Sequence, residues 1–166
     1  MADIVGPPVS VASEKAYILL CQVMIEHLCV EMEQAMTEHP HIALVRRGYE
    51  AFNKGDVDTL RQIIANDCVQ HVGGDSQVSG EFKGVDAMLA YYGQLAELTG
   101  GTFRAEPELY STDGNGHVIV VHHLTATRGD KSLDQRGALL FQITGDKAVD
   151  LLQCDVDLEE SDRFWS

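Results

Sequence analysis

The chain has 166 residues, 45% of them hydrophobic, the make-up of one globular domain with one continuous core. With 26 acidic against 12 basic residues it carries a formal net charge of -14, which repels phosphate backbones and anionic lipid heads. Nucleic acid and membrane surfaces are therefore not expected partners. Cys21, Cys29, Cys68 and Cys154 form no CxxC pair and no zinc-spaced cluster, so they read as reduced thiols.

The opening MADIVGPPVS carries an acid where a secretory signal carries basic charge, and AYILLCQVMI has about half the length of a membrane span. A cytoplasmic protein is expected. Residues 1–12 read as a flexible lead-in. Ser13 then caps a predicted amphipathic helix to about Thr37, with Tyr17, Leu20, Met24, Leu28 and Met32 at spacings of three or four. Pro40 interrupts the pattern. A second helix is predicted over Ile42 to Asn53, closed by Lys54-Gly55, and Asp56 caps a short third one reaching Ile64.

From Cys68 the period changes. CVQHV is a short strand, GGDSQVSGEFKG a glycine-rich turn region, and VDAMLAYYGQLAEL a helix ended by Gly100 and Gly101. FRAEPELYST, HVIVVHHLTATR, SLDQRGALLFQIT and AVDLLQCDVD then read as strands separated by DGNG, RGDK and TGDK, an antiparallel meander. LEESDRFWS is a last short helix. Helices first and a curved antiparallel sheet after them make an α+β fold with a cavity between the layers.

Three stretches carry a family likeness: HPHIALVRRGYEAFNKGDVDTLRQIIANDCVQHVGG, GEFKGVDAMLAYYGQLAELTGGTF, and the run from VIVVHHLTATRGDK to DLEESDRFW. In order, spacing and turn chemistry they resemble the SnoaL-like branch of the NTF2-like superfamily, related to polyketide cyclases, ketosteroid isomerases and limonene epoxide hydrolases. The resemblance implies an NTF2-like cone over residues 39–166. Residues 1–38 form an N-terminal extension whose additional helix is outside the family pattern, read as core or dimer packing, or as a lid or partner-binding helix. The resemblance also implies a homodimer, paired through the outer face of the sheet.

Register against the relatives removes two chemistries. The oxyanion tyrosine and general-base aspartate of the steroid isomerases fall at Gly48 and Val72, and the Asp-Arg-Asp set of the epoxide hydrolases falls at His122, Leu124 and Gln153. The likeness to polyketide cyclases, which use a histidine and an aspartate on neighbouring strands, remains. His122 is the first candidate for acid-base work, because strand parity groups it with Val118, Val120 and Leu124 and sends His123 the other way. A slip of one residue would give the role to His123. Apolar walls should lower the imidazole's pKa unless Asp155 offsets the loss.

Asp155 is the candidate partner acid, sharing parity with Gln153 on the last strand; His71 is a weaker catalytic candidate, since it points away if Gln70 and Val72 point in. Gln135 and Gln153 are candidates for binding a carbonyl, and Tyr49, Phe52, Gln70, Tyr92 and Val120 for lining the pocket, with only one of Tyr91 and Tyr92 fully inward. Phe164 and Trp165 should close the open end or meet a partner subunit. No phosphate loop and no HExxH occurs, and the His39-Pro-His41 pair lacks further ligands, so neither a metal nor a cofactor is implied. Two functions stay open: a cofactor-free cyclase, isomerase or dehydratase (a lyase) acting on a small, largely apolar carbonyl compound, and a non-catalytic ligand-binding or dimerisation domain.

Overall fold

The computed structural model describes residues 38–166, of which His39–Ser166 form one compact unit. The predicted helix over Ser13 to Thr37 lies outside the described residues. Helix α1 spans Pro40–Lys54. Pro40 starts it, two residues before the predicted Ile42, because the first turn needs no proline N–H and its fixed φ is already helical. Gly55, at φ 69°, ends it in the left-handed conformation, returning its N–H to Phe52 O at 3.1 Å. Helix α2 spans Val57–Ile63, capped by Asp56, whose carboxylate accepts from Thr59 N at 3.0 Å and from the Thr59 hydroxyl at 2.7 Å.

Strand β1 runs Ile64–Val72, four residues earlier than the sequence suggests, and β2 runs Gly80–Lys83, inside the stretch read as a turn. Helix α3 spans Val85–Leu98 and buries Val85, Met88, Tyr91 and Leu95, one stripe at spacings of three and four. Strands β3 (Arg104–Thr112), β4 (His117–Arg128), β5 (Lys131–Thr144) and β6 (Lys147–Asp155) follow, then helix α4 (Leu158–Trp165). The strand order is β2-β1-β6-β5-β4-β3. The last four strands form the expected antiparallel meander. The sheet as a whole is mixed, because β1 pairs with β6 in parallel, Gln70 beside Leu151 and Val72 beside Gln153. Pro107 sits on the edge strand β3, where a missing N–H breaks no central ladder, next to a register shift between Pro107 and Leu109.

The unclosed sheet curves over the helices, and Met88, Val118, Val120 and Cys68 are fully buried between the layers. Each such side chain contributes on the order of 1.5–3 kcal/mol by leaving water. Helix α4 closes one end. Asp157 caps it by accepting from Glu160 N at 2.9 Å, and Asp162 accepts the N–H groups of Asp75 and Ser76 at 3.0 and 3.1 Å, tying the helix to the turn before β2. Phe164 and Trp165 are buried, with Trp165 against Phe103 at 5.7 Å between ring centroids.

Candidate functional site

Alternation along β4 decides between the two histidines. Val118, Val120, His122 and Leu124 are buried on the helix side, and His122 is 2% exposed. His123 faces the other way and pairs with Asp134, Nε2 to Oδ1 at 2.7 Å. Helix α1 brings Tyr49 to His122 from 73 residues away, its hydroxyl 2.6 Å from Nδ1. Tyr49 is held in turn by edge contacts with Tyr110 at 6.5 Å and by Phe141 at 6.2 Å.

Burial determines the protonation of this pair. Loss of solvation, with smaller contributions from Tyr110 and Tyr92, pushes the Tyr49 pKa far above the ordinary phenol value, so the hydroxyl stays protonated. Desolvation pulls His122 down to about 4, against which the charge of Asp155 acts in the opposite direction. At neutral pH the imidazole is therefore uncharged. A neutral ring has one donor and one acceptor nitrogen; Nδ1 is engaged by the Tyr49 hydroxyl, which leaves Nε2 as the second polar atom of the ring. That Nε2 is buried and meets no hydrogen-bond partner among the described residues.

The register sets Gly137 directly opposite His122, and Asp155 opposite Gly137. A Cβ on residue 137 would stand 2.8 Å from His122 Nε2 and 3.2 Å from Cys154 O. Glycine is thus what lets the imidazole lie over β5. Sequence reading passed over this position, because its meaning depends on a cross-strand neighbour.

A cavity of about 80 Å³ lies beside the pair. Tyr49, Phe52, Gln70, Tyr92, His122 and Gln153 all line it, so six of the expected residues meet in one place. Tyr91 and Tyr92 both line it: Tyr91 stacks on Phe82 at 4.2 Å and Tyr92 meets Phe52 edge-on at 5.0 Å, so each ring finds its own inward wall. Tyr92 donates to Gln70 Oε1 at 2.7 Å.

Four expected site residues lie elsewhere. Val120 is buried in the core and does not line the cavity. Gln135 is also outside the lining; its Oε1 accepts from Asp157 N at 3.2 Å at the foot of α4, and its Nε2 has no partner among the described residues. His71 lies on the outer face of β1, as its parity against Gln70 dictates, with Nε2 3.1 Å from Asp150 and Nδ1 3.4 Å from Glu81. Asp155 lines a smaller neighbouring cavity with Ser161 and Trp165, accepting from Ser161 Oγ at 2.6 Å and from Gln153 Nε2 at 2.9 Å. Gln153 borders both cavities. Among the described residues no group of three or more metal-ligating side chains converges, and no helix is long and apolar enough to cross a membrane.

Comparison with known proteins agrees with this architecture. An uncharacterised protein of Mycobacterium tuberculosis is 36% identical over 131 residues, which cover 79% of this chain and all of that one. The solved structure of Bal32a, from a soil-derived mobile gene cassette, is 35% identical with a TM-score of 0.75, covering 76% of this chain and 97% of that chain. TerC, co-crystallised with polyporic acid, shares the fold at 15% identity and a TM-score of 0.67, covering 75% and 97%. Residues 45–151 match the family model described as the SnoaL-like domain. With the NTF2-like cone, the shared order of elements and a relative more than one-third identical over most of its length, the chain belongs to the SnoaL-like family.

Proposed function

We propose that the cone binds a small, largely apolar carbonyl compound and that the Tyr49–His122 pair holds its oxygen. The observation that carries this is the 2.6 Å contact between the Tyr49 hydroxyl and His122 Nδ1 inside an apolar cavity. In this reading the Tyr49 hydroxyl donates to Nδ1, and the neutral imidazole then offers Nε2–H as a hydrogen-bond donor. Leaving such a donor buried and unpaired costs about 1–3 kcal/mol, a loss that a ligand carbonyl would offset. Donation to a carbonyl polarises it, so the same arrangement supports cofactor-free proton transfer next to that carbonyl, the chemistry of isomerases, cyclases and dehydratases. Asp155 is the acid-base partner of His122 in this scheme, and Gln153, which borders both cavities, holds its carboxylate in place.

One observation favours the non-catalytic alternative: among the described residues no carboxylate lines the main cavity, and both oxygens of Asp155 already accept hydrogen bonds. Acetophenone separates the outcomes. Binding should shift the His122 ring nitrogens in ¹⁵N spectra and leave His123 unmoved. Protein-dependent deuterium uptake into the acetophenone methyl group marks proton transfer, and binding without it marks a carrier. No shift of His122 at saturating acetophenone would refute both readings.

The protein is further read as a homodimer joined through the outer sheet face, where Leu109, Ile119 and Leu152 are 59%, 47% and 41% exposed. Ile119, Leu140 and Leu152 sit side by side across β4, β5 and β6, a contiguous apolar row suited to a symmetric contact. The free thiol of exposed Cys154 on the same strands fits a reducing compartment such as the cytoplasm.

A further inference from the structure

Among the described residues no aspartate, glutamate, lysine or arginine lines the main cavity, whose polar groups are phenols, amides and one imidazole held neutral. Gln153 is engaged by Asp155 and Tyr91 stacks on Phe82, and the other four fall into two stations. One is Tyr49 and His122 on α1 and β4. The other is Gln70 and Tyr92 on β1 and α3, where the Tyr92 hydroxyl occupies Gln70 Oε1 at 2.7 Å and so orients the amide with its two Nε2 N–H groups free to donate elsewhere. Gln70 is only 2% exposed. Strands β6 and β5 separate β1 from β4, three strand spacings or roughly 14 Å along the sheet. Leu151, Leu139 and Phe141 form the apolar floor between the stations.

The bare cavity is about 80 Å³, smaller than the apolar cavity of about 150 Å³ that admits benzene in another protein. A ring therefore enters only as a wall gives way. Phe52, Tyr92 and Phe103 are that wall: they line the cavity on one side and a groove of about 310 Å³ on the other, packed edge-on at 5.0 and 5.9 Å.

We propose that the ligand is an uncharged ring compound with oxygen functions at both ends, one held by His122 and the other by Gln70. This rests on the carbonyl-binding reading above and adds to it a second anchor and the exclusion of ionised compounds. A buried carboxylate would lose its hydration here and find no cation among the described residues, whereas a neutral hydroxyl or carbonyl meets a donor at each end.

Three probes of similar size test this on the full chain at pH 7.5, with affinity read by calorimetry and site occupancy by the His122 ring nitrogens. They are 4-hydroxyacetophenone, 4-methylacetophenone and ionised 4-hydroxybenzoate. The hydroxy ketone should bind about fivefold more tightly than the methyl ketone, the ratio given by one net hydrogen bond, and the benzoate at least tenfold more weakly than either. Gln70→Leu should remove the preference for the hydroxyl and keep binding of the methyl ketone; Tyr92→Phe, which deletes a single oxygen, should reduce the preference without disturbing the fold. Equal affinity of the two ketones, or benzoate binding as tight as theirs, would overturn the two-anchor proposal while leaving the His122 reading intact. Failure of all three to shift His122 would overturn both.

Discussion

Replacing Gly137 by alanine tests whether the fold reserves space for the imidazole. The added Cβ would lie 2.8 Å from His122 Nε2, closer than side-chain carbons tolerate, and 3.2 Å from the Cys154 carbonyl, which the sheet holds in place. The backbone at residue 137 is ordinary strand, so the cost arises from packing rather than from φ. Either the strand shifts, an overpacking cost of about 1–3 kcal/mol, or the ring turns and gives up its bond to Tyr49, about 1–3 kcal/mol for a buried polar group left alone. Alanine's advantage over glycine in a strand returns roughly 0.5–1 kcal/mol. The net expectation is a loss of about 1 kcal/mol, or roughly 2–4 °C in melting temperature for a chain of this size. Thermal unfolding of the single and double variants with His122→Ala isolates the coupling, because shortening His122 should abolish most of the penalty. A Gly137→Ala protein with unchanged stability and unchanged His122 ring signals would refute the account of this position.

Further expectations concern pH, assembly and boundaries. His122 has a folded pKa of about 4 against 6.5 for the free side chain, so the unfolded chain binds the extra proton first. Its contribution is intact above pH 6.5 and is lost as pH falls toward 4, by about 3 kcal/mol in all; the wild-type minus His122→Gln stability difference should decline across that window, and a flat difference would count against a buried neutral ring. Ile119→Lys places a charge in the outer apolar row and should yield monomers by light scattering at micromolar concentration where wild type is dimeric, with the melt nearly unchanged; a monomeric wild type would sink the homodimer. Deleting residues 1–38 should leave a cooperatively folding domain, and a non-cooperative melt would place that segment in the core.

Much of the fold was legible because local signals recorded it. Glycine and aspartate turns punctuate β3 to β6, and the stripe from Val85 to Leu95 announces α3. The inward phase of His122 followed from alternation alone. Strand β2 escaped because four residues in a glycine-rich stretch carry no period, and the parallel pairing of β1 with β6 has no local mark, since it joins segments some 80 positions apart. At the site, individual candidates were readable but their partnerships were not. Tyr49 appeared only as an aromatic wall, its role as the partner of His122 being set by how α1 crosses the sheet. Asp155 has the right parity, yet Ser161 on α4 and Gln153 draw its carboxylate into the neighbouring cavity, and Asp157 N at the cap of the same helix engages Gln135.

Whether Tyr49 fixes His122 as a neutral donor is read from the ¹⁵N shifts and couplings of the His122 ring between pH 4 and 8. The expected result is a neutral ring protonated on Nε2 at pH 7, an acceptor-type Nδ1, titration only near pH 4, and loss of the tautomer preference in Tyr49→Phe. A ring protonated on Nδ1 at pH 7, or one that titrates near 6.5 like an exposed histidine, would contradict it.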